Sequence, residues 1–112
     1  MLWVINCTAK PNIQAAREPA REAHKHYLDA KMEEGTVVLT GSSVADDGKT
    51  RIGSVYIVNV NSYAEAQAFY EAEPFTKAGV YENVTITGVK KNRWNPAAAE
   101  SAEGRGDRPK TY

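Results

Sequence analysis

A single cysteine, Cys7, among 112 residues excludes any internal disulfide, and a reducing compartment is then the simpler setting. Cys7 lies in an apolar run with no basic cluster beside it in sequence, the usual setting of a buried and unreactive thiol. Two histidines and that one cysteine, widely placed, supply no metal-ligand spacing, so no metal site is expected. Charge of one sign is also missing. Fourteen basic and fourteen acidic residues balance, leaving no field to draw in nucleic acid or anionic lipid. No apolar run reaches membrane-spanning length, and the segment Met1 to Cys7 has neither the basic leader nor the length of a secretory signal. The glycosylation sequons Asn6-Cys7-Thr8 and Asn83-Val84-Thr85 therefore carry no weight. Neither a Gly-x-Ser-x-Gly nucleophile turn nor a dinucleotide-binding glycine pattern occurs, and no cofactor is expected. Gly48-Lys49-Thr50 has the ending of a phosphate-binding loop, but residue 43 is Ser and no helix follows, so it reads as a turn. These absences together describe a cytoplasmic globular protein with neither nucleic-acid nor membrane partners.

What is present is an alternation of short strands and amphipathic helices. Leu2 to Cys7 suits a strand covered on both faces, and Pro11 forbids its simple continuation. The segment Ile13 to Arg17 is a helical turn or a loop. A firmer helix is expected from Pro19, at home in a first turn where its missing N–H is not needed, to Glu34, with Gly35 as the left-handed cap. Its apolar arc holds Ala20, Ala23, Tyr27, Leu28, Ala30 and Met32. His24 falls inside that arc and His26 outside it, beside Glu22 and Glu33.

Thr36 to Thr40 and Ser54 to Val60 read as two strands of a hairpin joined through Asp47-Gly48. Ser62-Tyr63-Ala64-Glu65 is a capping box opening a second helix, which Pro74 halts by pushing residue 73 out of helical geometry. Asn83 to Val89 is the last strand. The order β-α-β-β-α-β is that of an α+β, ferredoxin-like domain over residues 1–94, followed by a tail, 95–112, without a core of its own. Trp94 is placed to anchor the root of the tail. Helices cover one face of such a sheet. The other keeps apolar side chains, either Val55 and Ile57 or Tyr56, Val58 and Val60, and a homodimer burying that face is the expected assembly.

His24 is the one residue suited to moving protons near neutral pH on a face that turns inward. Such a base needs a group to orient it, and Glu73, where the second helix is halted, can reach into a cleft. Both also have structural readings. His24 can be a hydrogen-bonded core histidine and Glu73 a solvated helix end.

The run Arg21-Glu22-Ala23-His24 followed by Tyr27-Leu28 resembles the Arg-x-x-His helix motif of YciI-like (YCII-related) proteins. Gly53-Ser54, Ala64-Glu65-Ala66, Glu73-Pro74-Phe75, Ala78-Gly79-Val80-Tyr81 and the close Val89-Lys90-Lys91 follow in that family's order. The resemblance runs from Leu2 to about Trp94. It implies a dimeric α/β-barrel with a cleft holding a His–Asp dyad, and relatives acting on ring compounds from aromatic degradation, including removal of chloride from chlorinated hydroxyquinols. The family histidine maps to His24 and its aspartate to Glu73, a departure that keeps the charge and adds a methylene. On this resemblance the chain is expected to be a lyase or isomerase in which His24 is the general base and Glu73 its orienting partner. Arg21 and Ser54 would contact a small cyclic substrate. Arg21 and Ser54 also read as a surface helix charge and a strand-start residue. A non-catalytic small-ligand-binding or stress-related module, and a structural dimer whose tail recruits a partner, are the alternatives.

Overall fold

The structure is a computed structural model that describes residues 1–104. Its elements run β1 (Leu2–Ala9), α1 (Gln14–Glu33), β2 (Val37–Val44), β3 (Arg51–Asn59), α2 (Tyr63–Ala72), α3 (Pro74–Lys77) and β4 (Tyr81–Val89), then a 3-10 turn at Pro96–Ala99. The four strands form one antiparallel sheet in the order β2-β3-β1-β4, the ferredoxin-like arrangement.

Directly paired residues share a face of an antiparallel sheet, so the register sorts the side chains. Ile5 lies between Tyr56 and Ile86, and Cys7 between Ser54 and Val84. On this face Ile5, Cys7, Tyr56 and Val58 are buried with Ala66, Phe69 and Phe75 of the helical layer. Val4, Val55 and Ile57 lie on the other face, which no helix covers, and there Leu39 and Val89 are 46% and 40% exposed. Of the two faces the hairpin sequence offered, Tyr56 and Val58 are therefore the covered one.

Most boundaries extend the sequence reading outward. The hairpin strands continue through Val44 and start from Arg51, because Asp47 closes the turn tightly. Its Oδ1 accepts from the backbone N–H of Lys49 (2.8 Å) and Thr50 (2.9 Å), while Oδ2 accepts from the Thr50 hydroxyl (2.6 Å). The Thr50 and Lys49 hydrogen bonds hold this carboxyl down at about 2. At the capping box, Ser62 Oγ accepts from Glu65 N as expected, but the Glu65 carboxylate reaches one residue further back, to Asn61 N.

The larger difference is in α1, which begins at Gln14 and carries Pro19 inside it. Proline removes one N–H from the ladder, and the carbonyl it orphans, on exposed Ala15, can turn to water. The helix ends as the sequence indicates. Gly35 has φ +86°, its N–H donates to Met32 O, and Thr36 N donates to Lys31 O, the paired bonds of a Schellman cap. Ile13, Ala16, Ala20, Tyr27, Leu28 and Met32 pack on the core, whereas Ala23 and Ala30 of the expected arc are exposed. Trp94 is 57% exposed with Lys91 Nζ 5.0 Å from its ring centroid, so it stands clear of the core. Of the segment 95–112, residues 105–112 lie outside the described residues.

One glycine is required by contact. A Cβ on Gly53 would sit 1.8 Å from the Cys7 carbonyl oxygen, where the β1 and β3 main chains crowd together. Gly53→Ala should therefore lower stability by about 3 kcal/mol. A urea denaturation midpoint unchanged from wild type would contradict this packing.

Candidate active site

Pro74 builds the centre of the site. The proline holds Glu73 extended, with ψ 128°, so α2 ends at Ala72 and the four-residue α3 begins immediately. Glu73 is thus the last cap of one helix and the first of the next. Its Oε2 accepts from Phe75 N (3.0 Å) and Thr76 N (3.4 Å), and its Oε1 accepts from His24 Nδ1 of α1. The residue is fully buried. A buried carboxylate is tolerated when both oxygens are satisfied, and here they are.

An ionised carboxylate only accepts, so this bond fixes the His24 proton on Nδ1 and leaves the Nε2 lone pair free. Nε2 has no partner among the described residues, and the side chain is 20% exposed. The imidazole stacks on Phe75 with centroids 3.7 Å apart and planes 8° from parallel. His24 is held from its edge and from its face. His26, in contrast, is exposed and lies 3.6 Å from Glu22 on the far side of the helix.

Beyond Phe75 opens a cleft of about 660 Å³. It lies between the bulged end of β1, the first turns of α1, the start of β3 and the start of β4, and Arg17, Arg51, Ser54, Phe75 and Tyr81 line it. His24 is not part of the lining and stacks on Phe75, which is. Ser54 belongs to the wall, beside Tyr81. Arg21 lies outside the cleft, on the exposed surface of α1, where it donates to Glu18 at 3.2 Å.

Behind the wall, the hydroxyls of Tyr56 and Tyr81 are bonded to each other. Burial pushes Tyr81 up to about 12 despite the hydrogen bonds from Ser54 and Tyr56, and burial raises Tyr56 as well. Burial, with the Glu73 charge added, also pushes Cys7 up to about 12, which keeps it a neutral thiol. Metal-ligand groups of three or more are absent among the described residues. No described helix is long and apolar enough to cross a membrane.

Arg17, Arg51, Phe75 and Tyr81 were not singled out as site residues from the sequence. For Arg17 a signal existed. On a helix it lies about 20° from His24, closer than Arg21 at about 60°. That signal stays hidden while the helix is started at Pro19. Arg51 and Tyr81 lie just outside the strands as read from alternation, and only the register brings them to the cleft.

The model of the YCII-related domain matches residues 1–94. Two curated relatives, each named Protein YciI, come from Escherichia coli O6:H1 and Shigella flexneri. Each is 33% identical over 96 residues, covering 81% of this chain and 98% of the relative. Among solved structures, the chain is similar to 5-chloro-2-hydroxyhydroquinone dehydrochlorinase from Burkholderia phenoliruptrix AC1100, in complex with 2,5-dihydroxybenzoquinone. The TM-score is 0.68 at 28% identity, covering 80% of this chain and 94% of that one.

The His24–Glu73 bond joins α1 to the junction of α2 and α3, so its loss should be felt in stability. Glu73→Ala removes a cap and a buried partner together and should cost about 3 kcal/mol. Glu73→Gln keeps the shape but loses the charge, and its amide N–H can face His24 only if the imidazole proton moves to Nε2, so it should cost about 1–2 kcal/mol. His26→Ala, which breaks only an exposed pair, should be nearly neutral. Urea denaturation of the three variants checks the ordering, and equal midpoints would contradict it.

Proposed function

The chain belongs to the YCII-related domain family, and on that footing we propose that it is a small-molecule enzyme using His24 and Glu73 for proton transfer on a cyclic substrate. The observation that carries this reading is the His24 Nδ1–Glu73 bond, with the carboxylate fully buried, Nε2 left unpaired and the imidazole side chain 20% exposed. It is the arrangement of a general base whose tautomer is fixed by its partner. Nε2 takes a proton from the substrate, and Glu73 stabilises the imidazolium so formed. The released electron pair enters the ring system. It then either expels a leaving group such as chloride, completing an elimination, or recovers the proton at another carbon, completing an isomerisation. The dehydrochlorinase relative with a dihydroxybenzoquinone bound supports a hydroxylated ring as the substrate class. Ser54 contributes a hydroxyl to the cleft wall, beside Tyr81. Arg21, three residues before His24 but paired with Glu18, would act only by leaving that partner.

One observation favours a second reading. Phe75 lines the cleft and the imidazole stacked on it does not, as would suit a module that binds a ligand without transforming it. Turnover separates the two. Incubated with chlorinated and unchlorinated hydroxyquinols, the wild-type protein should release chloride or shift the quinone absorbance. His24→Asn should lower kcat about 10³-fold, and Glu73→Gln about 10-fold to 100-fold. Full activity in His24→Asn would overturn the catalytic reading.

The same proposal includes a homodimer formed through the uncovered sheet face, because Leu39, Val55, Ile57, Val4 and Val89 make an apolar surface there. Light scattering at about micromolar concentration should return twice the chain mass. Leu39→Lys should shift the protein toward monomer without unfolding it, and a wild-type protein that scatters as a monomer would overturn this assembly.

A further inference from the structure

The cleft carries charge of one sign. Arg17 from α1 and Arg51 from β3, distant in sequence, line it together with Lys10, and no aspartate or glutamate is part of its wall. None of the three forms an ion pair among the described residues. The nearest acidic residue along the helix, Glu18, is engaged by Arg21. Arg17 and Arg51 face the same cleft, and Arg17 is lowered by burial first and by the charges of Arg51 and Arg21 next. Its guanidinium carbon lies 5.3 Å from the Phe75 ring centroid, a cation–π contact that ties the side chain to the cleft wall. The first turn of α1 also faces the cleft, with Ile13 giving no side-chain cap and no acidic residue in that turn, so the helix dipole adds to the same field.

In a balanced chain, two unpaired arginines brought together over an open cleft are unfavourable unless an anion joins them. The planar forks of arginine suit a carboxylate, and the aromatic edges of Phe75 and Tyr81 suit a flat ring beside it. The volume fits one such molecule.

We propose that the cleft binds a small ring compound bearing a carboxylate, held between Arg17 and Arg51, so that the substrate is an aromatic or cyclic acid. This deepens the reading above by naming the substrate class of the same site, and its test does not depend on turnover. The substrate's ring would lie toward Phe75, on whose ring His24 is stacked.

Isothermal titration of the full chain with 2,5-dihydroxybenzoate, with neutral 1,4-dihydroxybenzene and with inorganic phosphate provides the test. The carboxylate should bind at least about 10-fold more tightly than the neutral ring, and more weakly as salt is raised. Arg17→Gln and Arg51→Gln should each weaken it about 10-fold while leaving the weak affinity for the neutral ring unchanged. His26→Ala, on the far side of the helix, should bind it as the wild type does. Equal affinity for the acid and the neutral ring, unaltered binding in both arginine variants, or no binding below about 10 mM overturns the proposal. Tighter binding of phosphate overturns it in favour of a phosphate ester. Loss of turnover in His24→Asn, set beside arginine-dependent binding measured with His24 in place, separates the two readings. Binding without arginine dependence sinks this inference and leaves the role of His24 standing.

Discussion

The position of Glu73 governs the rest of the site. Pro74 breaks the second helical segment, the break turns residue 73 out of helical geometry, and the turned carboxylate serves three donors on two elements. One oxygen starts α3 and the other fixes α1 by way of His24. A fully buried charge of this kind is unfavourable by itself, and its three hydrogen bonds offset that cost. Its field reaches outward as well: Cys7, Tyr27, Tyr56 and Tyr81 are each held further from ionisation by the same carboxylate. Burial is the larger cause in each case, and the Glu73 charge adds to it.

Phe75 connects the two halves of the chemistry. On one side of it are the imidazole and the buried carboxylate, and at its other contacts are the Arg17 guanidinium and the cleft. A buried imidazole–carboxylate pair and a cationic, solvated mouth have opposite dielectric requirements, and a single aromatic side chain in contact with both lets them exist within one small domain. The cost is access. Phe75 lines the cleft, whereas the imidazole stacked on it does not.

The fold was legible because its signals are local. Gly35 requires a left-handed residue, Pro74 a break, Ser62 and Glu65 a start, and Ser54 to Val60 alternates cleanly, so order and topology could be read without contacts. His24 and Glu73 were legible as a pair for a related reason: one falls on an inward helical face and the other sits beside the proline. The cleft was not legible. Its arginines reach it through a helix that begins before its proline and a strand that begins before its alternation, and both depend on tertiary support. Arg21 reads as the nearer cation in sequence, yet in space Glu18 occupies it. Residue spacing reports which groups share a face but not which of them a neighbour has already neutralised.

The bare main chain at Gly53 has a consequence for how this pocket can change over time. Because no side chain fits there, that part of the cleft wall is formed by backbone atoms of β1 and β3. Point substitutions at this position cannot deepen, narrow or recharge it without disturbing the sheet. A change in the shape or charge of this cleft has to come from side chains around that glycine, such as Arg17, Arg51 and Tyr81. There, side chains can be exchanged while the scaffold beneath stays the same.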